Sequence, residues 1–200
     1  MIENPFDTAH YRLQDGYFSI GYYATPDLTM KEACDAHVDR LAMLAGVTQT
    51  DRVLDVGAGR GASAQRLRDQ IGCDVTASDI IPSEGVVYAD MEDLPFDDNS
   101  FDVYWATLST DYSKAPLTVF SEARRVLRPG GRLAITDCTT TGLPVPGFTE
   151  IVREDWTSHA MTTYSRLRRM TTDRAELMHL RMYYDMLWRG PLKFWCVVAT

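Results

Sequence analysis

The stretch VLDVGAGRGASA, residues 53–64, places Gly57, Gly59 and Gly61 on alternate positions directly after an apolar run. Glycines at this density let the backbone turn tightly and approach a ligand closely. A helix that starts after such a loop points its free N–H groups at that ligand. A triphosphate-binding loop of the GxxxxGKS/T type needs a lysine, and none stands here. The dinucleotide spacing GxGxxG/A is met by Gly57, Gly59 and Ala62, so the glycines alone leave the ligand open.

The acidic neighbours separate the alternatives. Asp55 stands two residues before the first glycine, where a carboxylate repels a pyrophosphate and suits a cation. Asp79 ends the next apolar run, a position from which a carboxylate can accept from both hydroxyls of a ribose. Asp90 ends a third run and is followed by Met91. This set fits a ligand with a nucleoside at one end, a carboxylate for the glycine loop and positive charge between them. S-adenosylmethionine is such a molecule, whereas a nicotinamide dinucleotide fits Asp55 poorly.

These residues need elements to hold them. RVLDV, DVTASDI, VVYAD, FDVYWA (101–106) and RLAITD read as strands. Residues 30–45 read as a helix, with Cys34, Val38, Leu41 and Ala45 at helical spacing and Gly46 at its end. Ala64, Leu67 and Ile71 share one helical face after the glycine loop. Residues 116–128 form another helix on the same logic, stopped by PGG at 129–131. Alternating strands and helices predict a parallel sheet covered on both faces. In the tail, TEIVRED and KFWCVVAT read as strands, Asp173 and Glu176 suggest a capping box, and Leu177, Leu180, Tyr184 and Leu187 form a helical stripe. Met178, Met182, Tyr183, Met186 and Trp188 around that stripe suit core or lid packing, or a cofactor site.

The ordered motifs VLDVGAGRGASA, TASDI, YADMEDLPFDDNSFDVYWA and EARRVLRPGGRLAITD, across about residues 51–137, resemble those of class I S-adenosylmethionine-dependent methyltransferases. DLPFDDNSFDVYWA with RRVLRPGG resembles the ubiquinone/sterol-type branch (methyltransferase type 11), which acts on small molecules. GYYATPDLTMKEACDAHVDRLAMLAGV is similar to the opening segment of natural-product tailoring O-methyltransferases, including sugar O-methyltransferases of rebeccamycin- and erythromycin-type pathways. The resemblance implies an α/β fold: a Rossmann-like seven-stranded sheet of order 3-2-1-4-5-7-6, last strand antiparallel, flanked by helices. It implies one methyltransferase domain over residues 1–200, with a lid or substrate segment at 1–48 and the core at 49–200. It places Gly57, Ala58 and Gly59 against the methionyl end of the cofactor, with Asp55 near its charged groups. Asp79 and Ile80 fall at the ribose, Asp90 and Met91 at the adenine, and Thr107 faces the methionine moiety. The implied product is S-adenosylhomocysteine.

The sequence departs from these relatives in two connections. Only ten residues separate Asp79 from Asp90, leaving no room for the usual crossover helix, and CTTTGLPVPGF after AITD is equally short. Some crossover helices are therefore expected to be missing, and the cleft to be more open than usual or covered by another subunit, as in a homodimer. The relatives' His pair after the fourth strand is replaced by Asp111 and Tyr112, while the acid after the fifth strand survives as Asp137. These three are the catalytic candidates; a carboxylate can act as base if burial raises its pKa. Tyr17, Tyr22, Tyr23 and His159 are substrate-pocket candidates. The expected acceptor is an oxygen or nitrogen atom of a small-molecule secondary metabolite. The alternatives are a cyclisation or pericyclic reaction on the same fold and a non-catalytic binding subunit.

The formal net charge of −8 argues against nucleic acid and anionic membrane as partners. Arg166, Arg168 and Arg169 are close together and read as a solvated helix face. MIENPFDTAH carries no signal-peptide core, and no apolar run reaches the length of a membrane span. Four cysteines without CxxC spacing suggest reduced thiols and a cytoplasmic setting. No zinc or HExxH pattern is present, so no metal is expected; His10, His37, His159 and His179 read as surface or packing residues.

Overall fold

Strand β4, Phe101–Thr107, buries all seven of its residues, and β1, Arg52–Val56, buries four of five. Runs without polar alternation are what a parallel strand covered on both faces requires. The computed structural model describes residues 11, 12 and 14–200; His10 and the rest of MIENPFDTAH lie outside them. Around β1 and β4 stand β2 (Asp74–Asp79), β3 (Val87–Tyr88), β5 (Leu127–Thr139), β6 (Glu150–Asp155) and β7 (Lys193–Ala199). The sheet order is β3-β2-β1-β4-β5-β7-β6. β7 runs antiparallel to both β5 and β6, and the other pairings are parallel. The implied topology is therefore observed.

Five helices cover this sheet: α1 (Met30–Ala45), α2 (Ala62–Ile71), α3 (Pro116–Val126), α4 (Thr157–Met170) and α5 (Arg174–Arg189). Four of them pack on one face, where Leu41 of α1, Leu67 of α2, Leu167 of α4 and Leu187 of α5 join Val53, Trp105 and Phe194. Among the described residues, the other face carries only α3, through Val119, Phe120, Ala123 and Val126 on Leu54, Tyr104 and Ile135. The two short connections explain the asymmetry. β2 passes to β3, and β5 to β6, without a helix. Leu94 and Phe96, with Leu143, Val145 and Phe148, cover the sheet from loops instead.

Local rules set the helix ends. Thr29 and Glu32 form a reciprocal capping box at α1, and Gly46 closes it in the left-handed region. α3 ends at Val126, two residues earlier than its period suggests, because Leu127 pairs with Phe101 in the sheet. Pro129 also disfavours helical backbone at Arg128. At α5, Asp173 accepts from Glu176 N as expected, while Glu176 Oε2 accepts from Thr171 Oγ1. Tyr183 and Met186 pack on the core, but Met178, Met182 and Trp188 are exposed.

The arginine cluster on α4 is not a plainly solvated face. Arg166 donates to the carbonyls of Leu28 and Pro26 and lies 4.5 Å over the Tyr23 ring. Arg168 lies 4.4 Å over Tyr184. The Arg166 contacts hold the segment before α1 against α4, and the Arg168 contact joins α4 to α5. His37 reinforces them: it is fully buried, with Nδ1 2.8 Å from the Ile20 carbonyl and Nε2 2.9 Å from Thr136 Oγ1. Burial lowers its pKa to about 4, so the ring is neutral at pH 7. No helix among the described residues is long and apolar enough to cross a membrane.

Candidate active site

The glycine loop leaves β1 at the carboxyl edge of the sheet, where open α/β sheets place their ligands. Gly57 has φ +71°, and a Cβ there would fall 2.3 Å from Ser109 Cβ. The Ser109 hydroxyl in turn donates to the Val56 carbonyl at 2.9 Å. The loops after β1 and β4 can therefore meet only over glycine. Gly57 N and Ala58 N both donate to the Ser78 carbonyl, and Gly59 N donates to Asp79 Oδ2 at 2.8 Å.

Above this loop lies a cavity of about 500 Å³. Gly57, Ala58, Asp79, Ile80, Asp90, Met91 and Thr107 all line it, as do Tyr17 and Tyr112. Gly59 backs the wall through Asp79. Asp79 accepts from Gly59 N on one oxygen and from Ile81 N on the other, both at 2.8 Å. An ionised carboxylate has about four lone-pair sites, so about two remain for ligand hydroxyls.

Asp55 sits beneath the loop rather than in the cavity lining. It is 1% exposed, and neither carboxylate oxygen makes a well-aligned hydrogen bond among the described residues, though the Ala64 N–H lies beside it. Burial pushes its pKa up to about 7, with the Asp79 charge adding to the rise and Arg68 opposing it.

Tyr11 and Phe18, stacked at 5.2 Å, also line the cavity, and sequence reasoning did not select them. A Cβ at Gly59 would come within 2.3 Å of the Tyr11 phenol oxygen, so this ring packs directly on the loop. Tyr17 is fixed by a 2.8 Å bond from its phenol to Asp35, and burial raises its pKa. Tyr22, Tyr23 and His159 are grouped elsewhere. The Tyr22 ring lies 4.2 Å from His159 and 4.9 Å from Trp156, and Tyr23 N donates to His159 Nδ1. None of the three lines either of the two cavities described here. Their contacts fasten the segment before α1 to α4.

Asp111 and Asp137 line a second cavity of about 250 Å³, separated from the first by the single 3₁₀ turn Thr110–Tyr112. Asp137 is 1% exposed; its Oδ2 accepts from Thr110 N, Thr110 Oγ1 and Asp111 N, and its Oδ1 from Cys138 N. Burial and then the Asp111 charge push its pKa well above the carboxylate range. Asp111 and Tyr112 are exposed on the turn, and partial desolvation by their surroundings raises the pKa of each, with the Asp111 charge adding to the rise at Tyr112. Ligand atoms of Asp111, Asp137 and Cys138 lie within 4.8 Å of one another. With three donors already on Asp137 Oδ2, the cluster is built for hydrogen bonding rather than as an open cation shell.

Comparison with known proteins gives this geometry a family. Residues 54–135 match the family described as "Methyltransferase domain". The chain is 32% identical to a sarcosine/dimethylglycine N-methyltransferase of Halorhodospira halochloris, covering 88% of this chain and 80% of that one. It belongs to the class I S-adenosylmethionine-dependent methyltransferases. Within that class, this methyltransferase is 37% identical to the 27-O-demethylrifamycin SV methyltransferase of Amycolatopsis mediterranei over 58% of its own length. It spans about half of that relative and about a quarter of another, 49% and 26% of their lengths. The cyclase SpnF shares its fold, with a TM-score of 0.77 at 19% identity over 96% of this chain and 90% of that one. The site fits the cofactor of the class: a glycine cradle and a carboxylate with spare lone pairs line one cavity, and a buried acid lies beneath the loop.

Proposed function

We propose that this protein methylates an oxygen or nitrogen atom of a small-molecule acceptor, using S-adenosylmethionine. The observation that carries the reading is the convergence of the Gly57 loop, Asp79, Asp90–Met91 and Thr107 on one cavity. Asp79 binds the ribose hydroxyls with the lone pairs left over from Gly59 and Ile81. Gly57 and Ala58 let the methionyl end lie against bare backbone, and Ile80 and Met91 flank the nucleoside. Tyr11 and Phe18 close over the loop as part of a lid or substrate segment within residues 1–48, and so exclude water. The bound cofactor supplies an electrophilic methyl group on a positively charged sulfur. The chain's part is to align the acceptor with that methyl group and to take its proton. Asp137, buried and raised in pKa, is the preferred base, and Asp111 is the second candidate. Tyr112 lines the cofactor cavity with its pKa raised further, so it serves as a hydrogen-bond donor.

Calorimetry with S-adenosylmethionine, S-adenosylhomocysteine and NAD tests the cofactor assignment, and binding of NAD alone would overturn it. Stoichiometric release of S-adenosylhomocysteine on turnover separates methylation from a cyclisation that leaves the cofactor intact.

A further inference from the structure

The second cavity names the chemical class of the acceptor. Its walls are apolar, with Leu117 and Phe120 of α3 facing Leu143 and Pro144 of the loop after β5. Its charged groups are the pair Asp111 and Asp137, and Thr110, Thr139 and Thr141 add the other polar lining. No lysine, arginine or histidine is among the described residues that line it. Arg153, which reaches the loop after β5, is bound to Glu150 and to the Gly142 and Leu143 carbonyls. We propose that this cavity binds the acceptor as an amine with an apolar body and no carboxylate, its nitrogen held between Asp111 and Asp137. The inference rests on the methyl-transfer reading and deepens it.

Charge and lone pairs argue the same way. Two carboxyl groups face one another with no cation between them, and one is buried. A protonated amine offsets one of the two charges and donates to both carboxylates, a neutral alcohol offsets none, and a carboxylate adds a third like charge. Asp137 Oδ1 accepts only from Cys138 N, and Asp111 Oδ2 meets only Cys138 Sγ at 4.0 Å, among the described residues. Each therefore has room for an ammonium N–H. The other titratable groups facing the pair are Cys138, Tyr112, Tyr164 and Tyr183, all raised in pKa and so neutral at pH 7.

The turn Thr110–Tyr112 stands between the cavities, so transfer requires it to swing aside and let the held nitrogen meet the donor methyl. The ammonium gives one proton to Asp137, and its freed lone pair forms the new N–C bond. The S–C bond breaks, and its electron pair stays on sulfur as a neutral thioether. Asp137 then returns its proton to solvent. This chemistry differs from that of the curated N-methyltransferase relative, whose name gives sarcosine and dimethylglycine, both carboxylates.

The test is calorimetry on the full chain in EDTA at pH 8, with 2-phenylethylamine, 2-phenylethanol and phenylalanine as probes and S-adenosylhomocysteine as control. The amine is expected to bind at least tenfold tighter than the alcohol, and phenylalanine to give no heat. Asp111→Asn, at the exposed mouth, and Asp137→Asn are each expected to reduce the amine preference at least fivefold, with S-adenosylhomocysteine affinity within threefold. Equal binding of amine and alcohol, tighter binding of phenylalanine, binding of none of the three, or an undiminished preference in both variants would overturn the assignment. If S-adenosylhomocysteine binds in those cases, only the amine inference falls. If it does not bind, the methyltransferase reading falls first.

Discussion

Replacing Asp79 with alanine isolates the residue on which the cofactor assignment depends most. Asp79 ends β2 and lines the main cavity, with one lone pair of each oxygen taken by Gly59 N and Ile81 N. The remaining lone pairs suit the two adjacent hydroxyls of a ribose. Hydrogen bonds to an ionised group contribute roughly 1.5–3 kcal/mol each. Two of them in a half-buried site, discounted for solvent screening, come to about 2–4 kcal/mol. At about 1.4 kcal/mol per decade, Asp79→Ala should weaken S-adenosylhomocysteine binding about 30- to 1,000-fold. The same change frees Gly59 N and Ile81 N, so a loss of about 1–2 kcal/mol in urea-unfolding stability should accompany it. Asp79→Asn keeps one acceptor oxygen and should fall between wild type and alanine in both measurements. Calorimetry on folded variants, with circular dichroism as the check on folding, gives both numbers. An unchanged dissociation constant in Asp79→Ala would refute the ribose assignment, and a stability loss without an affinity loss would reduce Asp79 to a loop fastener.

Asp137→Asn should lower turnover at least about tenfold with S-adenosylmethionine affinity within about threefold, since general-base loss typically costs 10²–10⁴; a rate untouched here but abolished in Asp111→Asn would move the base to Asp111. Gly57→Ala should abolish cofactor binding and lower the melting temperature, because its Cβ would lie 2.3 Å from Ser109 Cβ at φ +71°; normal binding by that variant would show that the loop tolerates a side chain. Turnover should survive exhaustive chelation, and activity restored by a divalent ion would contradict this. Asp55 holds its proton up to about pH 7 when folded, against 3.8 for an ordinary carboxyl. The folded state thus binds more protons than the unfolded one between about pH 4 and 7, and the ligand-free protein loses stability as pH rises through that window. Asp55→Asn should gain on wild type by on the order of 1 kcal/mol or more in going from pH 5 to pH 8, and parallel urea midpoints for the two proteins would contradict it.

Much of the core was legible because its signals are local. A glycine loop after an apolar run, and acids at the ends of successive strands, define the carboxyl edge of a parallel sheet without any long-range contact. The two short connections were legible by counting alone, and their loops indeed carry no helix. What escaped depends on distant partners. Tyr22 and Tyr23 look like pocket residues until His159, more than 130 positions away, is seen to take the Tyr23 N–H. Tyr11 has no pattern around it, and only its contact with Gly59 reveals its place. α4 hides its period because Thr157 and Thr163 are buried with Ala160, Tyr164 and Leu167. Thr163 earns that place by accepting from Gly21 N. Asp111 and Asp137 were named from sequence as alternative bases, and nothing in the spacing indicates that they lie together or that they line a cavity other than the one above the glycine loop.

The two margins of the sheet have a bearing on self-association. At one margin β3 offers only Val87 and Tyr88, too few residues to template a further strand. At the other, β6 carries Glu150, Arg153, Glu154 and Asp155, and its register shifts between Glu150 and Val152. Short length, charge and an irregular ladder are the devices by which sheets resist edge-to-edge growth. Among the described residues, neither margin therefore suits a second copy as a strand to extend. A dimer of this chain is expected to meet through helices or loops and to leave the hydrogen-bonding ladder of each sheet closed.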